Sequence, residues 1–197
     1  MPLFRNLAAV AAATFLFFST GANAIPITYE FSGIVAEGSL NGVAFTNRAF
    51  TVDLFGDTTG VVSGGPGILV NNATSVTFSI PGIGGGSLLD IYRMFRTSNA
   101  IGFLNVTDGL DRISVQGVAN AFTGYNLASA FGPVTPGTSF ITDFIPDRST
   151  AGELDLFGGS NVSFRSFFPT AQIPEPASLL LLALGLAALG FSRRKLA

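Results

Sequence analysis

Along much of the chain, apolar and polar residues alternate one for one. Ile27, Tyr29 and Phe31 fall on one side of an extended backbone, and Thr28, Glu30 and Ser32 on the other. That is the period-two spacing of a half-buried strand. The same alternation returns at Phe50, Val52 and Leu54, at Val76, Phe78 and Ile80, at Ile113 and Val115, at Leu154 and Leu156, and at Val162 and Phe164. Short strands with one wet face predict an antiparallel sheet. Two such sheets around an interior drawn from twenty phenylalanines predict an all-β antiparallel β-sandwich, jelly-roll-like or Ig-like. Turn residues agree: Asn41-Gly42 lies between Leu40 and Val43, and Asp108-Gly109 between Thr107 and Leu110. Each pair supplies the positive backbone angles of a two-residue hairpin. One segment departs from the pattern. Leu88, Ile91, Tyr92 and Phe95 follow Ser87 at helical spacing, so Ser87 to Arg96 reads as a short helix or an irregular strand. The glycine-rich stretches 64–67 and 82–86 read as loops.

At both ends the alternation gives way to unbroken apolar runs. Residues 1–24 have the form of a secretory signal peptide: Arg5 supplies positive charge, Leu7 to Phe18 an apolar core, and Ala22-Asn23-Ala24 a small-x-small cleavage site. Cleavage after Ala24 starts the mature chain at Ile25. At the other end, Pro174-Glu175-Pro176 precedes an apolar run, Ala177 to Phe191, closed by Arg193, Arg194 and Lys195. The two prolines keep their motif extended, and the leucines and alanines beyond them favour helix. At about 1.5 Å per residue the helix reaches roughly 22 Å, short of the roughly 30 Å hydrocarbon core of a bilayer. The three cations hold the far end of this short transmembrane segment in the cytoplasm and leave the rest of the protein outside.

Motif, apolar run and basic cluster together resemble the PEP-CTERM sorting domain of exported bacterial proteins, over Ile173 to Ala197. The resemblance implies processing by an exosortase, an integral-membrane transpeptidase-like partner. It also implies passage through an inner-membrane intermediate to the cell envelope, cell surface or extracellular matrix, usually in bacteria that make exopolysaccharide. The chain then divides into a signal peptide (1–24), an exported sandwich domain (25–171) and a sorting signal (172–197), with its motif at 174–176, its membrane helix at 177–191 and its basic stop at 193–195. An ordinary tail anchor that is never processed is the alternative reading of the same residues.

Composition narrows what the exported domain can do. Between Ile25 and Ile173 the acids outnumber the arginines, eleven to six, and the only lysine is Lys195 in the tail. No basic patch is available to neutralise a run of phosphates, so nucleic acid is not an expected partner. The chain has no cysteine and no histidine, which removes disulfides, thiol chemistry, Ser-His-Asp triads and His-ligated metals. Carboxylates remain. Asp143 with Asp147, or Asp108 with Asp111, are the pairs that an extracellular carbohydrate-active enzyme would use; the same residues read otherwise as solvated turn aspartates. Asp53, Asp57, Asp108 and Asp111 lie in or near turns where carboxylates and carbonyls can meet a calcium ion, although no EF-hand loop is present. The other reading of these four is turn capping. Asn72, Asn105 and Asn161 each begin an Asn-x-Ser/Thr triplet and read as strand and turn residues. The expectation is a non-enzymatic surface or matrix protein, structural, adhesive or polysaccharide-associated, with no required cofactor.

Overall fold

The computed structural model describes residues 24–117, 120–135, 138–141 and 146–169. The signal-peptide run, the tail from residue 170 onward, and Asp143 lie outside them. The described residues form thirteen strands: β1 (Pro26–Leu40), β2 (Val43–Asp57), β3 (Val61–Gly65), β4 (Ile68–Asn72), β5 (Ser75–Ile80), β6 (Gly84–Leu88), β7 (Tyr92–Arg96), β8 (Ala100–Asn105), β9 (Asp111–Gln116), β10 (Phe131–Val134), β11 (Thr138–Ile141), β12 (Asp147–Ser149) and β13 (Gly152–Phe167). They pair antiparallel in two sheets, with orders β1-β2-β5-β6-β12-β13-β10 and β11-β9-β8-β7-β4-β3.

The alternating runs account for the framework. Ile27, Tyr29 and Phe31 of β1 and Val52 and Leu54 of β2 are buried, as are Val76, Phe78 and Ile80 of β5 and Val162 and Phe164 of β13. Across the shared core, Phe31 of the first sheet meets Phe103 of the second at 5.5 Å between ring centroids, and Phe164 at 5.2 Å on its own sheet. Such tilted aromatic pairs add packing energy to the area they bury. All three tyrosines, Tyr29, Tyr92 and Tyr125, join this core.

The first sheet closes on itself, because β1 pairs with β13 as well as with β2. Cross-strand partners run from Tyr29 to Leu54, Val76, Leu88, Ser149 and Gly152. The next residue, Glu153, accepts a hydrogen bond from the Asn41 N–H at 2.8 Å, back at the far end of β1. A circuit that returns displaced along its starting strand is the stagger that strand tilt imposes on a closing sheet. β13 carries the irregularity. Its register with β1 shifts between Ser32 and Ile34, where Asn161 and Val162 stand opposite the single residue Gly33, while β1 keeps one unbroken register with β2. Two residues against one is a bulge, and Asn161, at φ 53°, supplies its left-handed position.

The hairpin expected at Asn41-Gly42 joins β1 to β2, with φ of 50° and 78°, the left-handed pair that a two-residue turn of this hand requires. At Asp108-Gly109 the connection is longer. β8 ends at Asn105 and β9 begins at Asp111, so residues 106–110 form the loop. Asn105 bonds both across it and within it: its N–H donates to the Leu110 carbonyl, and its own carbonyl accepts from the Gly109 N–H.

Ser87 to Arg96 is not a helix. Leu88 ends β6 and Tyr92–Arg96 is β7, paired on one side with β4 and on the other with β8. Two flanking ladders outweigh a short run of helical spacing, and Leu89 and Ile91 are left exposed between the strands. The glycine stretches are loops only in part: residues 66–67 and 82–83 are turns, and their other glycines lie in strands. Gly64 and Gly65 end β3, and Gly84 to Gly86 lie within β6. At Gly85 a Cβ would stand 2.6 Å from the Phe78 carbonyl oxygen, so the close approach of β5 requires glycine there.

Candidate functional site

The densest polar arrangement in the body lies where the β8–β9 loop meets β12, joining one sheet to the other. Two Asx-type turns shape the loop. The Asn105 side-chain oxygen accepts from the Thr107 N–H at 2.8 Å, and the Asp108 carboxylate accepts from the Leu110 N–H at 2.9 Å. They hold Asp108 beside Arg112, the first residue of β9 whose side chain turns inward and is almost fully buried.

Arg112 is shared between two carboxylates. Its Nε donates to both oxygens of Asp147 at 2.9 Å, and its Nη2 donates to Asp108 Oδ2 at 2.6 Å. Asn105 Nδ2 extends the network towards Asp90 and Asp147 at 3.4 and 3.5 Å, and Arg148 pairs with Asp90 at the surface. Burial opposes the Arg112 charge, and the two carboxylates more than offset it, raising its pKa. Burial likewise works against ionisation of Asp108, yet the Arg112 guanidinium and the Leu110 N–H hold its carboxyl below the ordinary carboxylate range. Behind them the Tyr92 phenol is pushed upward by burial and then by the neighbouring Asp147 carboxylate. An open cavity of about 430 Å³ lies over this network, lined by Asp90, Asn105, Thr107, Asp108, Arg112, Pro146, Arg148 and Glu153.

The candidate carboxylates are dispersed. Asp57 caps the 3-10 turn Thr58–Gly60, accepting from the Thr59 N–H and hydroxyl at 2.7 Å. Asp53 lies on the outer face of β2, opposite Glu30 of β1, which in turn pairs with Arg165 of β13. Burial, then the Glu30 charge, raises the Asp53 pKa. Asp111 opens β9, half-buried, its pKa raised by desolvation. Asp108 is committed to Arg112. Among the described residues no three acidic side chains converge in a metal-binding group. Of the suspected catalytic pairs, Asp108 and Asp147 come together through Arg112, a combination that crosses the two pairs expected from sequence. Asp108, held below the ordinary carboxylate range by Arg112, lacks the raised pKa of a glycosidase acid.

Sequence reasoning missed Arg112, Asn105 and Asp90 as members of a site. Arg112 and Asp147 are 35 residues apart, and β12 is too short to show a period. Asn105, one of three Asn-x-Ser/Thr asparagines, is 3% exposed, its side chain spent on the network, whereas Asn72 and Asn161 are exposed.

A second polar cluster ties β1 to the loop before β10. The Tyr29 hydroxyl donates to the Leu127 carbonyl at 2.5 Å and accepts from Asn71 Nδ2 at 2.7 Å. Desolvation pushes this phenol up to about 12. Nearby, the Tyr125 hydroxyl donates to Ser166 Oγ at 2.7 Å, and Ser166 Oγ donates to the Ser129 carbonyl.

The chain termini share one end of the body. Thr28 pairs with Phe167, so β1 begins where β13 stops. Ala24 is exposed at that end, and the Ile25 carbonyl accepts from the Thr58 N–H. The cavity beside Glu153 lies at the opposite end of β13. Ala22, Pro174, Glu175, Pro176, Arg193, Arg194 and Lys195 fall outside the described residues, and no helix among the described residues is long and apolar enough to cross a membrane.

The PEP-CTERM protein-sorting motif matches residues 172–195. No curated protein and no solved structure matches the chain. The tail therefore carries the sorting motif of exosortase substrates, which supports export and passage through a membrane.

Proposed function

We propose that the chain is a non-enzymatic surface or matrix protein, in which a β-sandwich body is exported, held at the inner membrane by a helix over Ala177–Phe191, and released to the cell envelope or extracellular matrix once an exosortase processes the tail at Pro174-Glu175-Pro176. The single observation that carries this reading is the sorting motif at 172–195, set immediately behind the last strand of a compact all-β body. Signal-peptide removal after Ala24 leaves β1 intact, since its first paired residue is Pro26. Because β1 starts where β13 ends, both processed segments leave from one end of the body. The opposite end, with the Arg112 cavity, then points away from the membrane and is the face that a matrix partner such as polysaccharide meets. The commitment of Asp108 and Asp147 to Arg112 supports a structural or adhesive role over hydrolysis. A calcium requirement has no support from the dispersed positions of Asp53, Asp57, Asp108 and Asp111.

Glu175→Ala tests the sorting step, because it leaves the apolar run and the basic cluster untouched. In a host with an exosortase, the variant should collect as an unprocessed membrane-bound form on a fractionation blot. Equal processing of variant and wild type would make the motif a mere linker and the protein a plain tail-anchored surface domain.

A further inference from the structure

Every sheet edge carries backbone N–H and C=O groups without strand partners, and a protein that stays monomeric covers or blunts them. Most edges of this body are so treated. The first sheet closes through β12, and β10, appended to β13, contains Pro133, which has no N–H to give. Where β2 runs past β5, Asn47 at φ 50° and the exposed Arg48 interrupt the edge. In the second sheet β11 lies against β13, Ile141 filling the space above Gly159.

The other edge of that sheet, β3, is different. No charged residue occurs anywhere from Thr58 to Asn72, and Val62 is 56% exposed. Val62 pairs with Val70, and Val70 with Phe95. An apolar row therefore crosses the outer face of the sheet and stops at this edge. The register irregularity in β3 is confined to Ser63–Gly65, beside the turn, leaving Val61 to Ser63 regular.

We propose that β3 is a self-association edge, at which two copies of this chain pair their β3 strands antiparallel about a twofold axis through Val62. A row of backbone donors and acceptors is completed by another strand. Antiparallel pairing about a twofold is self-complementary, placing Val62 opposite Val62 and Val61 opposite Ser63. In a body with acids in excess, two copies repel least where neither carries charge. The Val62 pair joins the two apolar rows into one. So short an edge buries less than the roughly 1,200 Å² of a stable interface, so the contact is weak and grows with crowding.

The absence of native cysteine makes the test direct. In the purified full chain in detergent, Val62→Cys places two thiols opposite each other, within reach of a disulfide. Under mild oxidation it should form a covalent dimer about tenfold faster than Val43→Cys, as expected when pairing raises the local thiol concentration. Val43 is 62% exposed at the far hairpin and serves as the collision control. Equal rates would overturn the proposal. In sedimentation velocity, wild type should associate as its concentration rises, and Val62→Lys should stay monomeric with an unchanged melting temperature. A wild type monomeric at every concentration, or a Val62→Lys variant that associates as strongly, would also overturn it.

Discussion

In the tail, every group that matters to sorting lies within one contiguous stretch, residues 172–195. In the body the groups that touch are far apart in sequence: Arg165 meets Glu30 across 135 residues, Tyr29 meets Leu127 across 98, and Arg112 meets Asp147 across 35. The tail is built to be read by another protein as a string. The body exists only once β13, the last strand, has found β1, the first. The two regions should therefore fail independently.

The largest expected effect is in the tail. Glu175→Ala should abolish processing while leaving the thermal unfolding of the body where it was. A drop in melting temperature would mean that the tail contributes to the fold, and the division into two regions would not stand.

Next comes Arg112→Ala, which strands two carboxylates. Removing one member of a buried ion pair costs about 3–5 kcal/mol, and a loss of about 3 kcal/mol is expected because Asp108 retains some access to water, its side chain being 21% exposed. Chemical denaturation would measure it. Processing of the tail should persist in whatever fraction folds. A change below about 1 kcal/mol, the level of an exposed pair, would show that the cluster is a surface feature.

Tyr29→Phe keeps the ring and deletes the hydroxyl, leaving the Leu127 carbonyl and the Asn71 amide short of a partner. A loss of about 1–3 kcal/mol follows. At the outer face, Arg165→Ala removes a half-exposed partner of Glu30 and should cost at most about 1 kcal/mol.

The smallest effect is in pH dependence. Asp53 and Asp111 have raised pKa values in the folded state, so folding favours their protonated forms. Their penalty is in force at neutral pH and is relieved as pH falls through those raised values. Asp108 has a lowered value; its contribution is present above the ordinary carboxylate range and is lost as pH falls through the folded-state pKa. Stability should therefore rise slightly on mild acidification and then fall at lower pH. Asp53→Asn should flatten the rise, and thermal melts across pH would show it; an unaltered rise would place its source elsewhere.

How much was legible in the sequence follows the same division. The tail was readable because motif, apolar run and basic cluster are local. In the body, the period-two runs located parts of β1, β2, β5, β9 and β13, because each alternates over several residues with one face in the core. They did not show that the runs at Glu153–Leu156 and Val162–Arg165 are one strand, β13, nor that β1 continues past Ser32. Between these runs bulges and glycines break the alternation while the ladders continue. The strands β6 and β7 were hidden for the opposite reason: Gly84 to Gly86 give no pattern, and Leu88 to Phe95 give one that imitates a helix. Asp108 and Asp147 stand out in the sequence as candidate carboxylates, but their meeting at Arg112 does not, since the partners come from β9, the loop before it and β12.

The central claim is that one chain carries a self-sufficient β body between two segments removed in export. Intact mass spectrometry of the protein recovered from the cell surface or medium of its own host tests it most directly. The mass should correspond to a chain that begins at Ile25 and lacks the basic cluster Arg193, Arg194 and Lys195. A mass that still includes Met1 or that cluster would contradict the account, leaving a membrane-anchored protein whose terminal segments are permanent.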